Sequence, residues 1–172
     1  MKHPLRDFRF CPVCGSDRFV CHDDRSKRCT DCGFNFYCNA SAATVAVIRN
    51  AKGEVLFARR DRQPGKGLLD LPGGFVDLNE SLEEGCLREV KEETGAEGRI
   101  VRHLFSLPNV YPYGGFDVHT VDSFFEVEID DETDLFAGDD VEMLFWADPD
   151  FIDPAQIAMK SIRKGLERIF KK

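Results

Sequence analysis

The chain has 172 residues, 42% of them hydrophobic, which suffices for one domain with a buried core plus a small appended module. Its 31 acidic and 23 basic residues leave a formal charge of −8, which argues against general nucleic-acid binding while a single nucleotide remains compatible. No apolar run reaches the roughly 18–20 residues of a membrane span, and Met1 to Cys14 lacks a signal-peptide stretch, so no membrane partner and a cytoplasmic address are expected.

Six of the seven cysteines fall within the first 38 residues, a segment with seven basic and five acidic groups. The remainder carries 16 basic and 26 acidic groups, a net −10, and the boundary is drawn there: a module at 1–38 and a domain at 39–172. Cys11-Pro-Val-Cys14-Gly15 and Cys29-Thr-Asp-Cys32-Gly33 are two C-x-x-C-G units separated by 14 residues. Each pair places two thiolates on one side of a tight turn, and four thiolates match the tetrahedral preference of Zn²⁺. Two disulfides or redox pairs are the alternative, which the lack of a secretory signal and of a thioredoxin-like context disfavours. A structural zinc ribbon held by Cys11, Cys14, Cys29 and Cys32 is therefore expected, with short strands at Arg18 to Cys21 and Gly33 to Tyr37. So small a segment buries little core, and the metal would supply its folding energy. Cys21, Cys38 and Cys86 read as packing residues.

Beyond residue 39, strand and helix signals alternate, which predicts an α/β or α+β domain. Ala43 to Arg49 and Glu54 to Arg60 read as a hairpin joined by Asn50-Ala51-Lys52-Gly53. Only one of Arg59 and Arg60 can face a substrate phosphate, since they alternate on a strand; Arg59 is the candidate. A helix is expected from about Leu82 to Thr94, further strands at Arg99 to Leu104, Val118 to Ile129 and Met143 to Trp146, and a last helix from about Ala155 to Phe170. The stretch Glu126 to Glu142 holds nine carboxylates and no base, and reads as mostly solvated loop.

The most specific feature is GFVDLNESLEEGCLREVKEETGA, Gly74 to Ala96. Ser81 with Glu84 three residues on forms a capping box, and Gly95 is the stop. Leu82, Cys86, Leu87 and Val90 make an apolar arc for the core, and Glu89, Glu92 and Glu93 a second arc beside it. Gly85 lies in that second arc, either keeping an acidic groove open or allowing close packing. Three like charges near the negative end of a helix repel one another. They read either as an ordinary solvated face or as ligands of a hard cation such as Mg²⁺ or Mn²⁺, which binds together with phosphates.

The spacing resembles the Nudix hydrolase signature: Gly, five residues, Glu, seven residues, then Arg-Glu-hydrophobic-x-Glu-Glu-x-Gly. Gly74, Glu80, Arg88, Glu89, Val90, Glu92, Glu93 and Gly95 fit it, with Ala96 where a larger aliphatic is usual. Pro64 to Gly74 is similar to the loop that enters this motif. The resemblance covers about residues 40–172 and implies an α/β/α sandwich around a mixed sheet. It implies hydrolysis of a nucleoside diphosphate linked to another group, with Mg²⁺ or Mn²⁺ on Glu89, Glu92, Glu93 and the Gly74 carbonyl. Arg88 and Glu80 would orient these ligands, Glu92 or Glu93 would be a base, and Glu142 is a further candidate base outside the motif.

A zinc ribbon ahead of such a domain resembles the NADH pyrophosphatase subfamily. Its downstream motif, Ser-Gln-Pro-Trp-Pro-Phe-Pro-x-Ser, is met in part by Ser106 to Gly114: Ser106, Pro108 and Pro112 agree, while Gln, Trp, the middle Pro and the last Ser are absent. Tyr111, Tyr113 and Phe116 are candidates to stack a base. NADH, ADP-ribose or a similar dinucleotide is the expected substrate. Other readings are a Nudix enzyme for noncanonical nucleoside triphosphates or capped RNA ends, and a nucleotide sensor without catalysis. Family analogy also suggests a homodimer.

Overall fold

The computed structural model describes residues 3–130 and 134–170. The chain divides into two units, Met1–Ala40 and Ser41–Lys172. In the first, β1 (Phe19–Cys21), β2 (Ser26–Cys29) and β3 (Asn35–Tyr37) form an antiparallel sheet in that order. The middle strand, β2, runs between the two stretches expected from the sequence; its Ser-Lys-Arg-Cys lacks the apolar alternation that marks a strand.

The second unit begins with β4 (Ser41–Ile48) and β5 (Val55–Arg60). These do not form the expected hairpin. They bridge only at Arg49 and Val55, beside the Asn50–Gly53 turn, and then enter different sheets. The reason is that both edges of β4 are already occupied. One pairs in parallel with β8 (Phe116–Ile129), from Ser41 opposite Thr120 to Ile48 opposite Val127. The other is taken by residues 72–76, through Thr44 N–H to Gly74 O and Ala46 N–H to Pro72 O.

β8 also pairs with β7 (Gly98–Tyr113), giving a mixed sheet in the order β4-β8-β7. β7 is far longer than the Arg99–Leu104 expectation, and irregularities at Ile100/Arg102 and His103/Phe105 bend it. The β7–β8 turn is Gly114-Gly115 at φ 56° and 86°, the left-handed pair that a two-residue hairpin loop demands. The second sheet is antiparallel: β6 (Leu69–Asp70), β5 and β9 (Val141–Ala147).

One helix covers each face. α1 (Leu82–Thr94) agrees with its expected span, and both halves of the Ser81–Glu84 capping box are formed. Strand alternation sorts the core around it. Ala46, Ile48, Leu56, Phe125 and Val127 pack with Cys86 and Val90 of α1. Val45, Val47, Val55, Phe57 and Phe124 pack with Ile162 and Leu166 of α2 (Lys160–Phe170). With both faces covered, β4 reads as an unbroken apolar run. The arrangement is an α/β/α sandwich with a mixed sheet.

α2 starts five residues later than expected. Residues 154–156 form a separate 3₁₀ turn capped by Asp153, and Ala158 N–H donates to Leu69 O, which holds 157–158 extended against β6. Among the described residues, no helix is long and apolar enough to cross a membrane.

Candidate active site

Two glycines shape the floor of the site. Gly73, at φ 143°, passes so close to β4 that a Cβ there would lie 2.2 Å from Thr44 O. At Gly74 a Cβ would lie 2.6 Å from Glu89 Oε1, so the Glu89 carboxylate rests on the glycine itself. The Gly74 carbonyl accepts Thr44 N–H at 2.8 Å, which leaves one lone pair free.

α1 supplies the acidic groups. Glu93 Oε2 accepts Gly73 N–H at 3.0 Å, and burial drives the Glu93 carboxyl well above the usual carboxylate range. Burial also raises Glu89, against the opposing effect of Arg88. Arg88 is the hub of the cluster. Its Nε donates to Glu80 Oε1 at 2.8 Å, one terminal nitrogen to Glu89 at 2.9 Å and Glu92 at 3.0 Å, and the other to Phe75 O at 2.9 Å and Glu80 Oε2 at 3.1 Å. Gly85 does not open the groove. A Cβ there would stand 3.2 Å from both Val76 and Glu80 Oε2, so the residue permits close packing of α1 on the entering loop.

Glu89, Glu93, Gly73 and Gly74 line a cavity of about 270 Å³ between the two sheets. Its walls carry seven carboxylates and a single arginine, Arg60. Arg60, not the expected Arg59, enters the cavity, because period-two alternation puts Arg60 on the side of Ala58, which also lines it. Arg60 donates to Pro64 O at 2.7 Å, to Asp70 at 2.8 Å and to the Tyr111 hydroxyl at 3.1 Å. Asp70 thus offsets the one arginine charge. Tyr111 lines the cavity and meets Phe75 edge-on at 5.6 Å. Tyr113 is exposed and stacks on Tyr111 at 6.4 Å, and Phe116 lies across the hairpin from it; neither lines the cavity.

Glu142 is exposed and does not line the cavity, whereas Asp139 and Asp140 do. The segment before them docks on the end of α1, with Phe136 N–H donating to Thr94 O and Gly138 N–H to Glu93 O. Orphan carbonyls of the last turn are satisfied in this way. The stretch from Glu126 is therefore not mainly solvated loop: 126–129 belong to β8 and 136–140 pack on α1, while 131–133 lie outside the described residues. Asp70, Asp77, Asp122, Asp139 and Asp140 are cavity carboxylates that the sequence reasoning missed. Asp70 reaches the cavity through its pairing opposite Ala58 in β6, which the sequence does not show.

In the N-terminal unit, the sulfurs of Cys11, Cys14, Cys29 and Cys32 lie within 4.8 Å of one another. Cys11 and Cys32 are 3.7 Å apart, and Cys14 and Cys29 3.6 Å. Four sulfurs at ~2.3 Å from a tetrahedral centre stand ~3.8 Å apart, so the quartet has the dimensions of a tetrathiolate metal site. The two knuckles repeat one geometry. Gly15 and Gly33, at φ 74° and 77°, donate to Cys11 O and Cys29 O, while Cys11 and Cys29 donate to Ser16 O and Phe34 O. The Cys32 backbone N–H leads in lowering the Cys29 thiol to about 7, which brings a thiolate ligand within reach near neutrality. The S···S separations of 3.7 Å and 3.6 Å are those of ligands around a shared centre rather than of bonded sulfurs at about 2.05 Å.

A family model described as NUDIX domain matches residues 39–170. The NAD-capped RNA hydrolase NudC of Vibrio atlanticus (strain LGP32) is 32% identical over 110 residues, 64% of this chain and 40% of that protein. The NAD-capped RNA hydrolase NudC of Deinococcus radiodurans is 35% identical over 111 residues, 63% and 39% of the two chains. The chain thus spans about two fifths of the length of these curated relatives. Among solved structures, a NUDIX hydrolase from Nitrosomonas europaea superposes with a TM-score of 0.75 at 25% identity, covering 93% of this chain and 89% of that one. The MutT protein from Methanosarcina mazei Go1 gives 0.62 at 26% identity, covering 75% and 91%. On the match over residues 39–170, the chain belongs to the NUDIX family.

Proposed function

We propose that the chain is a divalent-cation-dependent pyrophosphohydrolase acting on a nucleoside diphosphate linked to a second group, with NADH-like dinucleotides as the substrate class. The observation that carries this reading is the convergence of Glu89 and Glu93 on the Gly73–Gly74 backbone at a cavity with seven carboxylates and one neutralised arginine. Such walls repel a bare pyrophosphate. A substrate of that charge is admitted only with cations, and the hard oxygen donors present fit Mg²⁺ or Mn²⁺.

Glu89, Glu92, Glu93 and the Gly74 carbonyl are the proposed cation-binding set. When bound, the cation neutralises the pyrophosphate, lowers the pKa of a coordinated water and stabilises the leaving phosphate. Arg88 holds Glu89 and Glu92 through one shared nitrogen, so it sets their spacing before the cation arrives. Glu80 grips the same guanidinium and keeps it aimed. Glu93, which lines the cavity, or Glu92, which Arg88 ties to Glu89, is the proposed base; Glu142, outside the cavity and without such a tie, is set aside. Tyr111, fixed by Arg60, offers an aromatic face for the base of the substrate.

The relatives named NAD-capped RNA hydrolase support an NAD-type diphosphate linkage, in a free dinucleotide or at a capped RNA end, over a nucleoside triphosphate. The cysteine quartet is proposed to hold one structural Zn²⁺, since four sulfurs leave no position open for chemistry. The deciding experiment is a chromatographic hydrolysis screen of NADH, NAD⁺, ADP-ribose, dinucleoside polyphosphates and nucleoside triphosphates with Mg²⁺ or Mn²⁺. Turnover of a dinucleotide that falls by about 10²-fold or more in Glu93→Gln supports the proposal. Absence of turnover, or turnover indifferent to that change, refutes it.

A further inference from the structure

The cavity wall contributed by β7, β8 and the start of α2 has a chemistry of its own. Asn109, Tyr111, Thr120 and Asp122 line it, and Met159 and Ile162 add apolar surface. Strand alternation explains the set. Asn109 stands opposite Thr120 and Leu107 opposite Asp122, so these side chains share the cavity face of the β7–β8 ribbon.

Asp122 is the unusual member. It is only 5% exposed, yet no cation pairs with it among the described residues. Two buried hydroxyls hold it instead: Thr120 Oγ1 donates to Oδ1 at 2.6 Å and Ser161 Oγ to Oδ2 at 2.5 Å. The cavity's one arginine, Arg60, is engaged by Asp70, whose carboxyl burial raises, Arg60 opposes and Asp122 raises further. A carboxylate has about four lone-pair sites, so each Asp122 oxygen keeps one open. A charge buried without a cation is costly unless further donors reach it. Asn109 complements it. Its amide makes no hydrogen bond among the described residues, and it is the diagonal cross-strand neighbour of Asp122 on the same face.

We propose that Asp122 and Asn109 set the specificity of the cavity by reading the edge of the substrate's base. Asp122 accepts from an amino group, and Asn109 donates to the acceptor beside it. The inference rests on the reading of the cavity as the substrate site. Tyr111 offers a surface for the face of the ring, and these two residues sort its edge. A purine 6-amino group beside its ring nitrogen and a pyridine carboxamide share the required pattern. The oxo or carboxylate counterpart of either sets an acceptor against a fixed acceptor, which a carboxylate cannot relieve by turning.

The test measures kcat/KM of the full chain for NAD⁺, nicotinamide hypoxanthine dinucleotide and nicotinic acid adenine dinucleotide. The wild type is expected to disfavour one of the two analogues by about tenfold or more. Rejection of the hypoxanthine compound identifies the purine as the base that is read; rejection of the nicotinate compound identifies the pyridine. Asp122→Asn keeps the size of the side chain, and the Thr120 and Ser161 hydroxyls can accept as well as donate. Its new amide can donate to an oxo or carboxylate oxygen, so the preference should collapse to within about threefold. The readout is a ratio within one protein, from which a loss of folded enzyme cancels. If Asp122 only anchors α2, all three substrates fall together and the ratio stands. A wild-type preference at neither end, or one that Asp122→Asn leaves unchanged, overturns the proposal.

A second measurement needs no turnover. Calorimetric binding with Mg²⁺ compares adenosine with inosine 5′-monophosphate, and nicotinamide with nicotinic acid mononucleotide, in the same two proteins. Discrimination within one pair that Asp122→Asn removes upholds the base reader even if no dinucleotide is hydrolysed, which would refute the proposed activity alone. Equal affinities within both pairs, no binding of any of the four, or discrimination that survives in the variant counts against it.

Discussion

The Glu89 carboxylate lies directly on Gly74, with room for no side chain between them: a Cβ at 74 would stand 2.6 Å from Oε1 and 2.7 Å from Cδ. The atoms it meets are the far end of a flexible side chain, so the added methyl displaces Glu89 more readily than it strains the backbone. Gly74→Ala is therefore expected to cut kcat/KM by about tenfold or more while leaving Tm within a few degrees of wild type. Gly73→Ala should behave oppositely. Its Cβ meets the Thr44 backbone at 2.2 Å and its φ of 143° suits only glycine, so a stability loss of about 1–3 kcal/mol is expected in urea unfolding.

Arg88 makes five hydrogen bonds that join Glu80, Glu89, Glu92 and the Phe75 carbonyl. A lysine retains the charge but not the fork, and cannot span these partners. Arg88→Lys should thus lose most of the activity that Arg88→Ala loses, about 10-fold or more, and should need a higher Mg²⁺ concentration for half-maximal rate. A lysine variant with wild-type Mg²⁺ dependence would show that Arg88 contributes charge alone.

The parts of this architecture that were legible in the sequence are those with local causes. α1 is bounded by a capping box and a glycine stop, and its apolar arc recurs every turn, so its span and buried face could be read directly. The pairing of β4 was not legible. Val45 meets Phe124, far along the chain, and the opposite edge is filled by the irregular segment 72–76. The choice between Arg59 and Arg60 turned on a single residue of register, which reverses the face. Asp139 and Asp140 reach the cavity because the chain before them docks on the carbonyls of Glu93 and Thr94, an interaction with no sequence period.

The sulfur quartet carries the third prediction. Metal analysis of the purified chain should find about one Zn per chain, with no disulfide. Its ligands must be deprotonated to bind, so protons compete with the metal and zinc retention should fall as the solution is made acidic. Removal of zinc by a strong chelator should broaden the amide signals of residues 19–37 in NMR spectra. Signals from the β4–β8 pairing should persist, since that sheet has its own core. Persistence of the 19–37 signals without metal would show that the ribbon folds unaided.

Gly95 closes α1 at φ 74° and, in the same place, seats Phe136: a Cβ at 95 would come within 2.0 Å of the Phe136 ring. Two separable penalties follow for Gly95→Ala. The left-handed backbone costs about 1 kcal/mol for any residue with a side chain, and the ring must also leave its seat. With Phe136 goes the segment whose N–H groups bond Glu93 O and Thr94 O and which brings Asp139 and Asp140 to the cavity. Gly95→Ala should therefore cost about 2–4 kcal/mol and also lower activity. In a Phe136→Ala background the steric part is gone, and the same substitution should cost only about 1 kcal/mol. Urea unfolding of the four members of this double-mutant cycle measures the difference. Additive costs would mean that Phe136 has another seat available, and that the glycine is required by the backbone alone.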